Sequence, residues 1–144
     1  MNATLRKFGY PGTMLHEYRN WCVLLRPAQA TLGALVLAAK SAATEFSALP
    51  PEAFAELHDA VAGIETVLKD FKPYDRINYL MLMMVDPHVH FHVIPRYGAT
   101  QEFEGLDFAD AGWPGPPDLK SATALTDEAR GLLLQRLKSH WPQV

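Results

Sequence analysis

From residue 88 to residue 96 the chain runs His88-Val89-His90-Phe91-His92-Val93-Ile94-Pro95-Arg96. Histidines and apolar residues alternate with the period of a β-strand, in which successive side chains point to opposite faces. A strand over these residues would line up His88, His90 and His92 on one side. Val89, Phe91 and Val93 would take the other, and their β-branched and aromatic side chains suit a packed core. Three of the chain's six histidines fall within these five positions, which is more than a merely stable strand requires.

Working upstream, Arg76 to Val85 reads as a long apolar strand. Only Asp86-Pro87 separates it from the histidine segment, so the two are expected to form an antiparallel hairpin. Before that, Pro50-Pro51 opens a helix, because proline in a first turn costs no hydrogen bond. Phe54, Leu57, Val61, Ile64 and Leu68 recur at helical spacing, and Phe71-Lys72-Pro73 closes the helix. Further upstream, Thr13 to Tyr18, Trp21 to Leu25 and Leu35 to Ala39 read as strands. The second ends at Arg26-Pro27, where a residue before proline is pushed to extended geometry, and a turn surrounds Gly33.

Downstream, Tyr97 to Ala122 is rich in Gly, Pro, Asp and aromatics, with Trp113-Pro114-Gly115-Pro116-Pro117 at its centre. Thr126 is a good N-cap for a closing helix, with Asp127 and Glu128 favourably placed near its positive end. Strands, helix, strands, helix indicate an α+β domain on an antiparallel sheet. Residues 1–97 would form the histidine-bearing core. Residues 98–144 would form an irregular excursion and a final helix of the same domain.

The 144 residues suffice for one domain with a proper core. About half are apolar and a fifth charged, as in ordinary globular chains. The formal charge is −3 and no basic run appears, which argues against duplex nucleic acid as a partner. No stretch approaches a membrane span, and Met1 to Gly12 lacks an apolar core for a signal peptide. Cys22 is the only cysteine, so no internal disulfide forms. Set in the apolar run from Trp21 to Leu25, it reads as a buried thiol, in keeping with a reducing, cytoplasmic location.

Aligned imidazoles have two chemical uses. Two of them plus a distant ligand could hold a metal, but His88 and His92 would stand ~13 Å apart along a strand, too far for three donors to meet one ion within about 2.1 Å. A metal-dependent hydrolase using two of the three therefore stays open as an alternative. The other use is covalent catalysis. A row ~13 Å long matches an extended phosphate chain, and an imidazole can attack phosphorus while its neighbours set its tautomer, hold oxygen charge and move protons.

The pattern His-φ-His-φ-His-φ-φ, with φ apolar, is filled completely by His88 to Ile94 and continued by Pro95-Arg96. It resembles the histidine-triad superfamily of nucleotide hydrolases and transferases, over roughly residues 15 to 97. The resemblance implies a five-stranded antiparallel sheet packed with helices, usually in a homodimer, with no cofactor and no metal at the triad. It implies attack by His90 on the α-phosphate of a nucleotide derivative, of the dinucleoside polyphosphate (diadenosine tetraphosphate) or nucleoside phosphoramidate type. A nucleotidyl-histidine intermediate would form and water would release the nucleoside monophosphate. His92 would contact the phosphate, His88 would orient the nucleophile through hydrogen bonds, and Asn78 stands where a phosphate-contacting amide is common.

Departures from the family pattern are specific. Ala34 follows Gly33 where a histidine is usual, and Arg26 stands where an Asn or Asp often meets the ribose. Met83-Met84-Val85 replaces a Gly-Gln-Ser/Thr type of segment. Arg26 could compensate by contacting phosphate or ribose, since a guanidinium pairs well with phosphate oxygens. A nucleotide-binding module with little turnover is the alternative these departures suggest. Arg96 reads as a partner for a carboxylate, with steering of an anion toward the site as the alternative, Met81, Met83 and Met84 as core or pocket wall, and Asp86 as a turn residue, with a hydrogen bond holding a histidine tautomer as the alternative. His58 and His140 read as surface residues. His16 is the one outlying histidine to check against the triad, and Trp113 could act as a lid or a dimer contact.

Overall fold

A computed structural model describes residues 2–141. Met1 and residues 142–144, the outer ends of the two regions expected from the sequence, lie outside the described residues. Strands β1 (Met14–Glu17), β2 (Trp21–Leu25), β3 (Leu35–Ala39), β4 (Arg76–Leu80) and β5 (His90–Arg96) form one sheet in the order β1-β2-β3-β5-β4. Every neighbouring pair is antiparallel. Helix α1 spans Ala3–Lys7, α2 spans Pro51–Phe71 and α3 spans Asp127–Ser139. The five-stranded α+β architecture expected above is the one observed.

β2 and β3 are buried along their whole length, which is why they read as unbroken apolar runs rather than alternating ones. On one face Val23, Leu25, Leu35, Leu37 and Val93 pack with Ile64, Leu68, Leu133 and Leu137 of α2 and α3. On the other, Cys22, Leu24, Val36 and Ala38 pack with Leu5 of α1 and with Phe8, Tyr10 and Met14. Burial pushes the Cys22 thiol up to about 12, as expected of an inert core cysteine.

The two long helices begin and end where their caps dictate. Pro51 sits at the first helical position of α2. Thr126 Oγ1 accepts from Ala129 N at 3.0 Å at the start of α3. The buried stripe of α2 is Ala53, Ala60, Ile64, Val67, Leu68 and Phe71. Phe54, expected in that stripe, is instead 39 % exposed and meets Phe46. The small Ala53 lets the helix lie close to the sheet, and Trp21 Nε1 donates to its carbonyl at 2.7 Å.

Three local expectations are corrected. β4 ends at Leu80, not Val85, because β5 does not supply a partner beyond the Leu80–His92 pair. Before His90 the chain turns to the β3 side, where Val89 N donates to Ala43 O and Val89 O accepts from Ala39 N. Residues 81–89 therefore form a longer connection than Asp86-Pro87, with Met83 at φ 49°. Met84 is 86 % exposed rather than part of a core. Finally, the stretch read as irregular contains a hairpin of β6 (Gln101–Phe103) and β7 (Leu106–Phe108). Its two-residue turn places Glu104 and Gly105 both at positive φ, a geometry that matches strand twist.

Candidate active site

β5 presents His90, His92, Ile94 and Arg96 to one face of the sheet. His90 lies opposite Ala38, and His92 lies between Val36 and Leu80. The two rings meet edge to face with centroids 5.1 Å apart. The strand begins at His90, so His88 is not the third member of an in-line row. It stands ahead of the strand, in the bend by which the chain leaves β4's side for β3's.

His88 nevertheless acts on His90, through its main chain. His90 Nδ1 lies 2.7 Å from the His88 carbonyl oxygen. A carbonyl can only accept, so Nδ1 carries the proton, and in the neutral ring the lone pair sits on Nε2. The His88 ring is engaged elsewhere, its Nδ1 3.0 Å from Thr4 Oγ1 in α1.

His92 takes the opposite tautomer. Arg26 Nε donates to His92 Nδ1 across a long 3.4 Å. A guanidinium has no lone pair to offer, so Nδ1 accepts and the ring proton lies on Nε2. Burial, followed by the charge of Arg26, lowers the His92 pKa to about 4. His92 is thus a neutral hydrogen-bond donor near pH 7, beside His90, whose Nδ1 is committed to the His88 carbonyl.

The Pro27-to-Gly33 turn holds Arg26 in place. Buried Gln29 donates to the carbonyls of Arg26 (2.7 Å) and Ala34 (2.8 Å) and accepts from Gly33 N (2.8 Å). Gly33 takes φ +92°, which glycine adopts without steric cost. Gln29 had no signal in the sequence, because a turn glutamine looks like any solvated amide.

The first residues of the chain cover this face. The Phe8 ring centroid lies 5.7 Å from those of both His90 and His92, which are 1 % and 8 % exposed. Lys7 Nζ pairs with Asp86 Oδ2 at 2.9 Å, so Asp86 fastens this cover rather than a histidine ring. Asn2 Nδ2 donates to the Ala39 and Ser41 carbonyls.

Asn78 lies on the same face, opposite Ile94 and two residues along the ladder from the Leu80–His92 pair. Its Oδ1 accepts from Arg96 Nη1 at 2.8 Å, and it bonds to neither histidine. Arg96 also makes a two-pronged pair with Asp110, at 2.6 and 3.0 Å, so it is the partner of a carboxylate, as its sequence context suggested. His16 lies against Tyr18 and Trp141, on the helix-covered face and away from His90. His58 is exposed. Among the described residues, no three His, Cys, Asp or Glu side chains gather where a metal could sit, and no helix is long and apolar enough to cross a membrane.

Comparison with known proteins agrees with this fold. Solved structures of similar fold include a histidine triad protein from Bradyrhizobium japonicum at 19 % identity, with a TM-score of 0.74 over 98 % of this chain and 96 % of that one. A histidine triad protein from Sinorhizobium meliloti 1021 matches at 20 % identity, with a TM-score of 0.75 over 97 % and 95 %. One from Marinobacter aquaeolei VT8 matches at 21 % identity, with a TM-score of 0.73 over 94 % and 93 %. No curated protein sequence matches the chain. The family model of the HIT domain matches residues 18–99, more than half of the chain, which contain β2 to β5 of the sheet with His90 and His92. The chain therefore belongs to the HIT domain family, within the superfamily of nucleotide-binding hydrolases and transferases.

Proposed function

We propose that this protein cleaves a P–O–P or P–N bond at the α-phosphate of a nucleotide derivative, with His90 as the nucleophile. One observation carries the reading: two adjacent imidazoles present their Nδ1 atoms to opposite kinds of partner, His90 to a carbonyl acceptor, which leaves Nε2 for the lone pair of the neutral ring, and His92 to a guanidinium donor, which puts the proton on Nε2. Such a pair supplies an attacking nitrogen and, beside it, a donor for a non-bridging phosphoryl oxygen.

In the first step His90 Nε2 forms a bond to phosphorus and the bond to the leaving group breaks, its electron pair departing with that group. The ring becomes cationic and keeps its Nδ1 proton on the His88 carbonyl, whose partial negative charge stabilises it. His92 Nε2–H and the Arg26 guanidinium balance the charge developing on the phosphoryl oxygens. Asn78 offers its amide N–H groups to the phosphate chain, since Arg96 occupies only its oxygen. In the second step a water oxygen bonds to phosphorus, the P–N bond breaks with its electron pair returning to His90 Nε2, the water gives up a proton that balances the one taken up by the departed leaving group, and a nucleoside monophosphate leaves. The substrate classes are dinucleoside polyphosphates and nucleoside phosphoramidates.

A second reading, nucleotide binding with little turnover, is favoured by the cover over His90. Phe8 lies against both rings, and the segment preceding the histidines is apolar and exposed at Met84 and Val85. One experiment separates the two. The protein is mixed with diadenosine tetraphosphate or an adenosine phosphoramidate, quenched in alkaline denaturant and examined by intact mass. The hydrolase reading expects a nucleotidyl adduct on the wild type and none on His90→Ala, with AMP released only by the wild type. AMP release surviving in His90→Ala would overturn it. Binding without adduct or AMP would favour the second reading.

A further inference from the structure

Beyond the histidine pair, the same face of the sheet opens into a cleft of about 660 Å³ at the β4 edge, lined by Asp75, Arg76, Asn78, Arg96 and Trp113. That volume is in the range of small-molecule sites. No histidine lines it. Its centre follows β5 away from His92 toward Arg96, four residues on, or about 13 Å along an extended strand.

The cleft is built rather than incidental. The loop bearing Trp113 is tied to the sheet by the buried Arg96–Asp110 pair, whose side chains are 5 % and 1 % exposed. Trp113 N donates to Asp110 O, so the indole stands one turn beyond that anchor. Its back rests near Gly98, where a Cβ would come within 3.3 Å of the ring. Trp113 is 38 % exposed, whereas Trp21 and Trp141 are buried at 0 % and 4 %. An aromatic surface is thus held open beside hydrogen-bonding groups that are only partly used.

Charge identifies the occupant. Arg96 is neutralised by Asp110, and the exposed Arg76, whose Nη1 donates to the Asp75 main-chain carbonyl at 2.8 Å, shares the lining with the Asp75 carboxylate, one charge of each sign. A lining with no net charge does not select a polyphosphate. It presents a flat π surface, donors on Arg76 and Asn78 Nδ2, and an acceptor in Asp75 Oδ1, the other oxygen of that carboxylate being taken by Gly98 N at 2.7 Å. A planar, uncharged heterocycle with both donors and acceptors on its edge complements that set. We propose that this cleft is a nucleobase site. Lying along one face from His90, with Asn78 between, it seats the distal nucleoside of an extended substrate. The link to His90 rests on the hydrolase reading above; the affinity of the cleft for a base does not.

Two measurements test it separately from that reading. Isothermal titration of the His90→Ala protein with adenosine, guanosine, cytidine, ribose and inorganic phosphate needs no turnover. Saturable binding of at least one nucleoside is expected, none of ribose or phosphate, with about tenfold or more loss in Trp113→Ala and retention within about threefold in Trp113→Phe. No nucleoside binding, or binding indifferent to Trp113→Ala, would overturn the site. Where the wild type turns over, Trp113→Ala should raise KM for diadenosine tetraphosphate about tenfold. It should leave KM for an adenosine phosphoramidate of a small amine within about twofold. An equal change for both would remove the distal seat even if the cleft binds a base.

Discussion

His90 Nδ1 donates to the main-chain carbonyl of His88 across 2.7 Å. Orientation of the His90 ring is therefore a property of the backbone two residues upstream, not of the His88 imidazole. His88→Ala keeps that carbonyl and removes only the ring's contact with Thr4. Its kcat/KM should fall less than about tenfold, the scale of one lost hydrogen bond, whereas His90→Ala should lose the adduct altogether. Steady-state kinetics of both variants check this, and equal losses would assign the orienting role to the His88 side chain.

The buried, neutral His92 makes stability depend on acid. Unfolded, its pKa is near 6.5; folded, burial and Arg26 hold it at about 4. Between these values the unfolded chain binds more protons, so stability rises with pH across that window. The contribution is fully present above about 6.5 and is lost as pH falls toward about 4, amounting to about 3 kcal/mol. Urea midpoints at pH 7.0, 5.5 and 4.5 should fall more steeply in the wild type than in His92→Gln. A His92 ring resonance titrating near 6.5 by NMR would contradict the assignment.

Phe8 stands over the rings of His90 and His92, so its removal should expose them. In Phe8→Ala, diethyl pyrocarbonate should modify His90 and His92 several-fold faster than in the wild type, while the exposed His58 reacts equally in both. Peptide mapping by mass spectrometry follows each site. Unchanged protection of His90 would mean that the sheet and α1, not Phe8, exclude reagents.

Asp110 compensates a guanidinium that is almost wholly buried. Removing one partner of a buried ion pair leaves an uncompensated charge and costs about 3–5 kcal/mol. Asp110→Ala should show that loss in urea denaturation. The double variant Arg96→Met/Asp110→Leu should recover most of it, because an apolar pair needs no solvation. A loss below about 1 kcal/mol in Asp110→Ala would show that water replaces the carboxylate.

Much of the architecture follows from local chemistry that a linear chain displays. β2 and α2 are bounded by Arg26-Pro27, Pro51 and Pro73, and these boundaries hold because proline restricts backbone angles wherever it is placed. The shared face of His90 and His92 is likewise a property of strand pleat, and so is the burial of Val93 on the other side. Tertiary structure alone settled where the ladder stops. β4 ends at Leu80 and β5 begins at His90 because strand length depends on a partner, and Val89 is claimed by Ala39 and Ala43, distant in sequence. The same holds for the tautomers and the charges. The Arg26 contact with His92, the Asp110 clamp on Arg96, the cover of Thr4 and Phe8, and the approach of Trp113 to Arg76 all join residues far apart in the chain, and no periodicity encodes such pairings.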